Sequence, residues 1–130
     1  MSTRTDVGPR ARRVLLVDDH LDSASSIGRL LNSLGYEVCV ALDGHDALYC
    51  AARFQPDVAL VDLSLPGVDG FGVAEGMRAM RETRSTLLIA MTGWSAENVE
   101  DQARAAGFDL HLVKPVSLDA LTHALATTRV

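Results

Sequence analysis

Cysteine is scarce in this chain: Cys39 and Cys50 are the only two in 130 residues. They show none of the close spacing that marks zinc sites or redox pairs, so both are expected to be reduced, buried-type thiols that pack as small hydrophobes. The four histidines, His20, His45, His111 and His123, lack metal-binding spacing such as H-E-x-x-H. Any metal is therefore expected on carboxylates. No apolar run approaches the roughly 20 residues of a membrane helix, and Met1 to Arg13 lacks the apolar stretch of a secretory signal. A cytoplasmic location without membrane contact is expected. Clustered basic residues are missing from the body of the chain. The net charge is −5, yet Met1 to Arg13 carries four Arg against one Asp, which leaves −8 on the other 117 residues. Direct nucleic-acid binding, which needs grouped Lys and Arg on phosphates, is disfavoured. Residues 1–12 read as a basic flexible N-terminal tail.

What is present is a chain that is 48% hydrophobic and long enough for one domain with a core, not two. Apolar runs recur at regular intervals: Val14 to Val17, Val38 to Ala41, Val58 to Val61, Leu87 to Ala90 and Leu110 to Val113. The first four are continuously apolar, as expected of strands buried on both faces. Helical spacing fills the intervals, clearest where Leu21, Ile27, Leu30, Leu31 and Leu34 line one face before Gly35 ends it. Pro56, Pro66-Gly67, Ser95 and Ser117 punctuate the pattern where turns and helix N-caps are wanted. The fourth helix, about Ser95 to Ala105, offers little beyond Val99, Ala103 and Ala106 to a core. Five βα units imply an α/β fold, a doubly wound parallel sheet with right-handed crossovers.

Ligands of such sheets bind beyond the carboxyl ends of the strands. There the first run ends in Asp18-Asp19, the third in Asp62, the fourth in Thr92 and the fifth in Lys114-Pro115. Three carboxylates at one mouth repel one another unless a cation joins them. Magnesium suits such a site, since it takes oxygen ligands from one or two carboxylates and leaves room for phosphate oxygens. Asp62 is the natural nucleophile, because carboxylates form acyl phosphates. Phosphoryl transfer asks the protein mainly to position groups and spread negative charge, which Mg2+ and Lys114 supply. Thr92 can then donate its hydroxyl to a phosphoryl oxygen.

The acidic pair in Leu16-Val17-Asp18-Asp19, the segment Asp62-Leu-Ser-Leu-Pro66-Gly67-Val-Asp69-Gly70, the Thr92-Gly93 step and Leu112-Val113-Lys114-Pro115 together resemble the response-regulator receiver family. The resemblance implies a flavodoxin-like single domain over 13–128, with five parallel strands in the order 2-1-3-4-5. It implies that Asp62 accepts phosphate from a histidine kinase, a phosphotransfer protein or a small phosphodonor. Asp19 would bind Mg2+ directly, Asp18 largely through water, Asp62 itself would join them, and the backbone carbonyl of Ser64 would complete the protein ligands. Lys114 would pair with the aspartate and its phosphate, across a cis bond to Pro115. The stretch Ala106 to Val116 is similar to receivers attached to hybrid sensor kinases, which implies a phosphorelay lineage. No kinase, DNA-binding or output-enzyme segment is present, so the chain is expected to be a stand-alone receiver or an excised piece, with Met1 favouring the former. A signalling phosphoacceptor rather than an enzyme is expected, a monomer or weak homodimer with a downstream protein partner that the residues do not name.

Two positions depart from the family. Where many members carry Tyr or Phe in the fifth strand this chain has His111, which either packs as a polar-tipped aromatic or makes the switch pH-sensitive. Trp94, two residues past Thr92, and Val99 are expected on a partner surface formed by the fourth helix, fifth strand and fifth helix. His123 reads as a surface residue, not a phosphohistidine. The alternatives are a receiver-like interaction module that works without phosphorylation, an Asp-based Mg-dependent phosphatase, and a flavin binder. The phosphatase wants a second Asp where Ser64 stands, and the flavin binder wants a phosphate-cradling loop where Asp18-Asp19 stand.

Overall fold

A computed structural model describes residues 12–65, 69–93 and 97–126; Pro66, Gly67, Trp94 and Ser95 fall outside the described residues, as does nearly all of the basic tail. In chain order the elements are β1 (Arg13–Val17), α1 (Leu21–Ser33), β2 (Glu37–Ala41), α2 (Gly44–Phe54), β3 (Val58–Asp62), α3 (Gly70–Ala79), a short 3-10 turn (Arg81–Thr83), β4 (Leu87–Thr92), α4 (Glu97–Ala106), β5 (Leu110–Val113) and α5 (Leu118–Ala126). The strands form one parallel sheet in the order β2-β1-β3-β4-β5. The fold class expected from the alternating pattern is the one found.

Side chains alternate across the sheet. Val14, Leu16, Val58, Leu60, Ile89 and Met91 pack against α1 and α5 through Ile27, Leu31, Leu121 and Leu125. Leu15, Val17, Ala59, Val61, Leu88 and Ala90 meet Ala47 and Ala51 of α2, Val73 and Met77 of α3, and Ala103 of α4 on the other face. β1 and β3 owe their unbroken apolar sequence to this two-sided burial. β2 departs from the expectation: it is an edge strand, with Val38 and Cys39 only partly buried and Val40 exposed.

α1 departs as well. Its buried face is Ala24, Ile27, Gly28 and Leu31, while Leu21 is 64% exposed and Leu34 is exposed at the C-cap. Those two leucines sit at the ends of the helix, beyond the part that the sheet covers. Gly35 does end the helix, at φ 95°, with Tyr36 N–H donating to Leu31 O and Gly35 N–H to Asn32 O. Only glycine adopts that conformation cheaply. Asp43, Asp69 and Ser117 cap α2, α3 and α5 by accepting from the N–H groups of Asp46, Gly72 and Ala120.

The end of the sheet opposite Asp18 and Asp62 is tied by Arg78 of α3. Its guanidinium donates to Gly107 O at 3.0 and 2.8 Å, to Arg84 O at 2.8 Å, to Thr86 O at 2.7 Å and to Asp109 Oδ2 at 2.8 Å. Asp109 in turn accepts from Leu88 N–H. One planar fork thus fixes the turns before β4 and β5. Arg78→Ala is expected to cost about 2–3 kcal/mol, because buried carbonyls lose their donors, with Arg78→Lys recovering little of it. Urea denaturation midpoints of the two variants measure this.

The two cysteines are not isolated, contrary to the reading from spacing. They are half-buried, Cys50 of α2 beside Cys39 of β2, and the Cys50 thiol donates to Asp46 Oδ1 at 3.8 Å. Burial, then the neighbouring Cys39 and Asp46, push the Cys50 thiol up from 9.0 to about 11. The folded value lies above the unfolded one, so the stability this thiol contributes is present below pH 9 and is lost as the pH climbs toward 11. Cys50→Ala should flatten that alkaline fall in a pH series of melting temperatures, and Cys50 should alkylate slowly at pH 8, since the thiolate is the reactive form.

Candidate functional site

The carboxyl ends of β1, β3, β4 and β5 bring the residues expected from the sequence to one cleft. Asp18 directly follows β1, Asp62 closes β3, Thr92 closes β4 and Lys114 follows β5. Asp18, Asp62 and Thr92 are buried, whereas Asp19 is partly open at 31%. The Lys114 ammonium donates to Asp62 Oδ2 at 2.7 Å and lies 3.9 Å from Asp18 Oδ2. Asp62 Oδ1 accepts from Ser64 N–H at 2.9 Å, which fixes the carboxylate plane. The Lys114–Pro115 bond is cis, as expected, and Lys114 N–H donates to Thr92 O at 2.7 Å.

Charge balance is incomplete. Lys114 donates to Asp62 alone among the three carboxylates, and Asp18 Oδ2 is fully buried with no hydrogen-bond partner. A buried carboxylate oxygen without a donor is costly, and a cation relieves it. One ligand atom each of Asp18, Asp19, His20 and Asp62 lies within 4.8 Å of the others. These oxygens suit a hard divalent ion such as Mg2+.

His20 in this cluster was not anticipated. Its Nδ1 stands 3.2 Å from Asp19 Oδ1 and 3.3 Å from Asp18 Oδ1. Histidine–histidine spacing carries no sign of it, because its partners are the two preceding carboxylates. Gly70 closes the segment that begins at Asp62. A Cβ there would stand 2.5 Å from Asp62 O and 2.6 Å from Leu63 Cα, so α3 begins in contact with the backbone that carries Asp62.

His111 and Val99 lie farther out. In the register of β4 and β5, Ala90 faces His111 and Thr92 faces Val113, which puts the Thr92 hydroxyl and the imidazole on the same side of the sheet, one step apart. His111 is 28% exposed, 4.0 Å from Glu100, and lines a cavity of about 180 Å³ with Glu100, Ala103, Arg104, Phe108, Asp109 and Leu110. Val99 is half-buried against the core. Trp94 lies outside the described residues.

The family model of the response regulator receiver domain matches residues 14–126. This chain belongs to that family. Among its relatives, the transcriptional regulatory protein PrrA of Mycobacterium tuberculosis is 36% identical over 118 residues, 89% of this chain and 49% of PrrA. The sensor protein EvgS of Escherichia coli is 36% identical over 117 residues, 88% of this chain and 10% of EvgS. The receiver thus spans about half of one relative and a tenth of the other. Of the solved structures, the receiver domain of sensor histidine kinase PA1611 from Pseudomonas aeruginosa superposes with a TM-score of 0.84 at 30% identity, covering 91% of this chain and 97% of that one; it holds a magnesium ion in its active site cleft. The chemotaxis protein CheY4 of Vibrio cholerae gives 0.87 at 28% identity, covering 92% and 99%. Among the described residues no helix of this receiver is long and apolar enough to cross a membrane.

Gly70→Ala is expected to destabilise the receiver by about 1–3 kcal/mol, since its methyl meets backbone that cannot yield. Gly76→Ala meets only the flexible tip of Leu48, at 2.7 Å, and should cost less. Urea midpoints compare the two, and the amide resonances of Leu63 and Ser64 should shift only in the first.

Proposed function

We propose that this receiver accepts a phosphoryl group on Asp62, from the phosphohistidine of a histidine kinase or a phosphotransfer protein, and signals the change to a protein partner. The observation that carries this reading is Asp62 itself: 2% exposed, with one oxygen on the Lys114 ammonium and the other on Ser64 N–H, beside the unpartnered Asp18 Oδ2. A carboxylate held this way presents its lone pairs in one direction. It attacks phosphorus as the P–N bond to the donor imidazole breaks, and the departing imidazole takes up a proton. The product is an acyl phosphate, and Lys114 neutralises charge on the phosphoryl oxygens as the transfer proceeds.

Asp18, Asp19, Asp62 and the Ser64 carbonyl would hold Mg2+, which supplies positive charge opposite Lys114 and spreads the charge of the transferring group. The orphaned Asp18 oxygen and the clustered carboxylates of Asp18, Asp19 and Asp62 fit that ion. Thr92 would donate its hydroxyl to the new phosphoryl group, and the loop beyond it would carry the change to α4, β5 and α5. The same-side placement of Thr92 and His111 supports that route. Trp94, two residues past Thr92 in the sequence, and Val99, at the margin of the core, would belong to the partner surface. The receiver would occupy 13–128 behind its basic tail and act in the cytoplasm, as a phosphoacceptor that catalyses only its own phosphorylation and dephosphorylation.

Incubation with Mg2+ and acetyl phosphate, followed by intact mass, should show a gain of about 80 Da, the mass of one HPO3 captured by a carboxylate. Asp62→Asn should abolish it. Partner binding unaltered by phosphodonor and by Asp62→Asn would instead mark a phosphorylation-independent interaction module, and steady hydrolysis of a free phosphoester without the adduct would mark a phosphatase.

A further inference from the structure

One side chain in the cleft differs in donor chemistry from the rest. His20 is the N-cap of α1, with extended backbone at φ −96° and ψ 108°. Its own N–H donates to Asp18 Oδ1 at 2.9 Å, so the residue is anchored to the acid it follows. The imidazole turns inward: Nδ1 is 3.2 Å from Asp19 Oδ1, 3.3 Å from Asp18 Oδ1 and 4.0 Å from Asp62 Oδ2. Its side chain accepts from no backbone N–H of the first turn, so helix capping does not explain this orientation.

The four possible ligand atoms of Asp18, Asp19, His20 and Asp62 lie within 4.8 Å of one another. Opposite ligands of an ion bound at 2.0–2.1 Å stand about 4.2 Å apart, so small side-chain rotations close the set on one ion. An independent observation points to a cation here: Asp18 Oδ2 is fully buried without a hydrogen-bond partner, and the Lys114 ammonium, 3.9 Å away, is too far to donate to it.

We propose that His20 is a specificity-determining ligand, through which this cleft holds borderline first-row divalent cations, the class of Co2+, Ni2+ and Zn2+, in preference to Mg2+. The inference rests on the same cleft as the phosphoacceptor reading and deepens it. Magnesium is a hard ion that takes oxygen and gains little from an imidazole nitrogen, whereas the later first-row ions favour it. The carboxylates alone bind any of these ions. What His20 adds is a nitrogen that separates them.

The discriminating variant is His20→Asn. The His20 side chain is 67% exposed, so little packing is lost, and Asn is a favoured N-cap that keeps α1 intact. It replaces the nitrogen ligand by a hard amide oxygen. Titration of the full chain at one pH with Co2+ and with Mg2+ should give a Co2+ affinity at least about tenfold weaker in His20→Asn, the scale on which metal-site residues act, and an Mg2+ affinity changed less than about twofold. Proton NMR of the Co2+ form should show a strongly shifted exchangeable resonance from the Nε2–H of a Co2+-bound imidazole, absent in His20→Asn. Equal weakening of both ions would overturn the proposal, because His20 would then shape the cleft without ligating. So would unchanged Co2+ affinity, or absence of the shifted imidazole proton in the unaltered chain. The Mg2+-dependent mass gain on Asp62 is read separately, so loss of that adduct sinks the phosphoacceptor reading, and its persistence with unchanged selectivity sinks only the role of His20.

Discussion

Carboxylates brought within a few ångströms of each other in a half-dry cleft repel, and Asp18, Asp19 and Asp62 are held together in spite of this. The sheet supplies the force. β1 and β3 are neighbours buried on both faces, and the apolar contacts along their length fix where their ends fall. Lys114 offsets part of the repulsion at 2.7 Å from Asp62, but it cannot also reach Asp18 within hydrogen-bond distance. The remaining imbalance is concentrated on one buried oxygen, Asp18 Oδ2. A cation at that oxygen would relieve the deficit.

The Asp62 carboxylate is fixed in direction by its neighbours. Ser64 N–H holds one carboxylate oxygen, and Gly70 lets α3 start against the Asp62 carbonyl, closer than any side chain would permit. Arg78 leaves α3 at its far end and ties down the turns before β4 and β5. The elements that carry Thr92 and Lys114 are therefore braced from the opposite end of the molecule. A path from the cleft outward remains along the β4–β5 register, where Thr92 and His111 share a side and His111 opens onto the cavity beneath α4.

Burial accounts for which features were legible in the residues alone. The continuous apolar runs of β1, β3 and β4 announce strands covered on both sides, and the same logic applied to β2 overestimated its burial. Its apolar residues look like those of a central strand, but it has a neighbour on one side only, and edge position is not written in local composition. In α1 the 3.6-residue period identified the helix, while the choice of face drifted to Leu21 and Leu34, because leucines at helix ends follow the period without reaching the sheet. Cys39 and Cys50 are eleven positions apart in the chain and neighbours across β2 and α2, a proximity created by the crossover.

By itself the sequence determined the βα alternation, the strands that end in Asp18, Asp62, Thr92 and Lys114, and hence the gathering of those side chains at one edge, since a parallel sheet puts all its carboxyl ends on the same side. Only the tertiary structure decided which way each side chain turns once it arrives. It drew His20 in among the acids, left Asp18 Oδ2 without a donor, set Gly70 against the Asp62 backbone and brought the two thiols together. The physical reason is that periodicity and strand ends are local properties of the chain, whereas a hydrogen-bond partner, a close backbone approach or an unbalanced charge exists only between segments that packing has brought into contact.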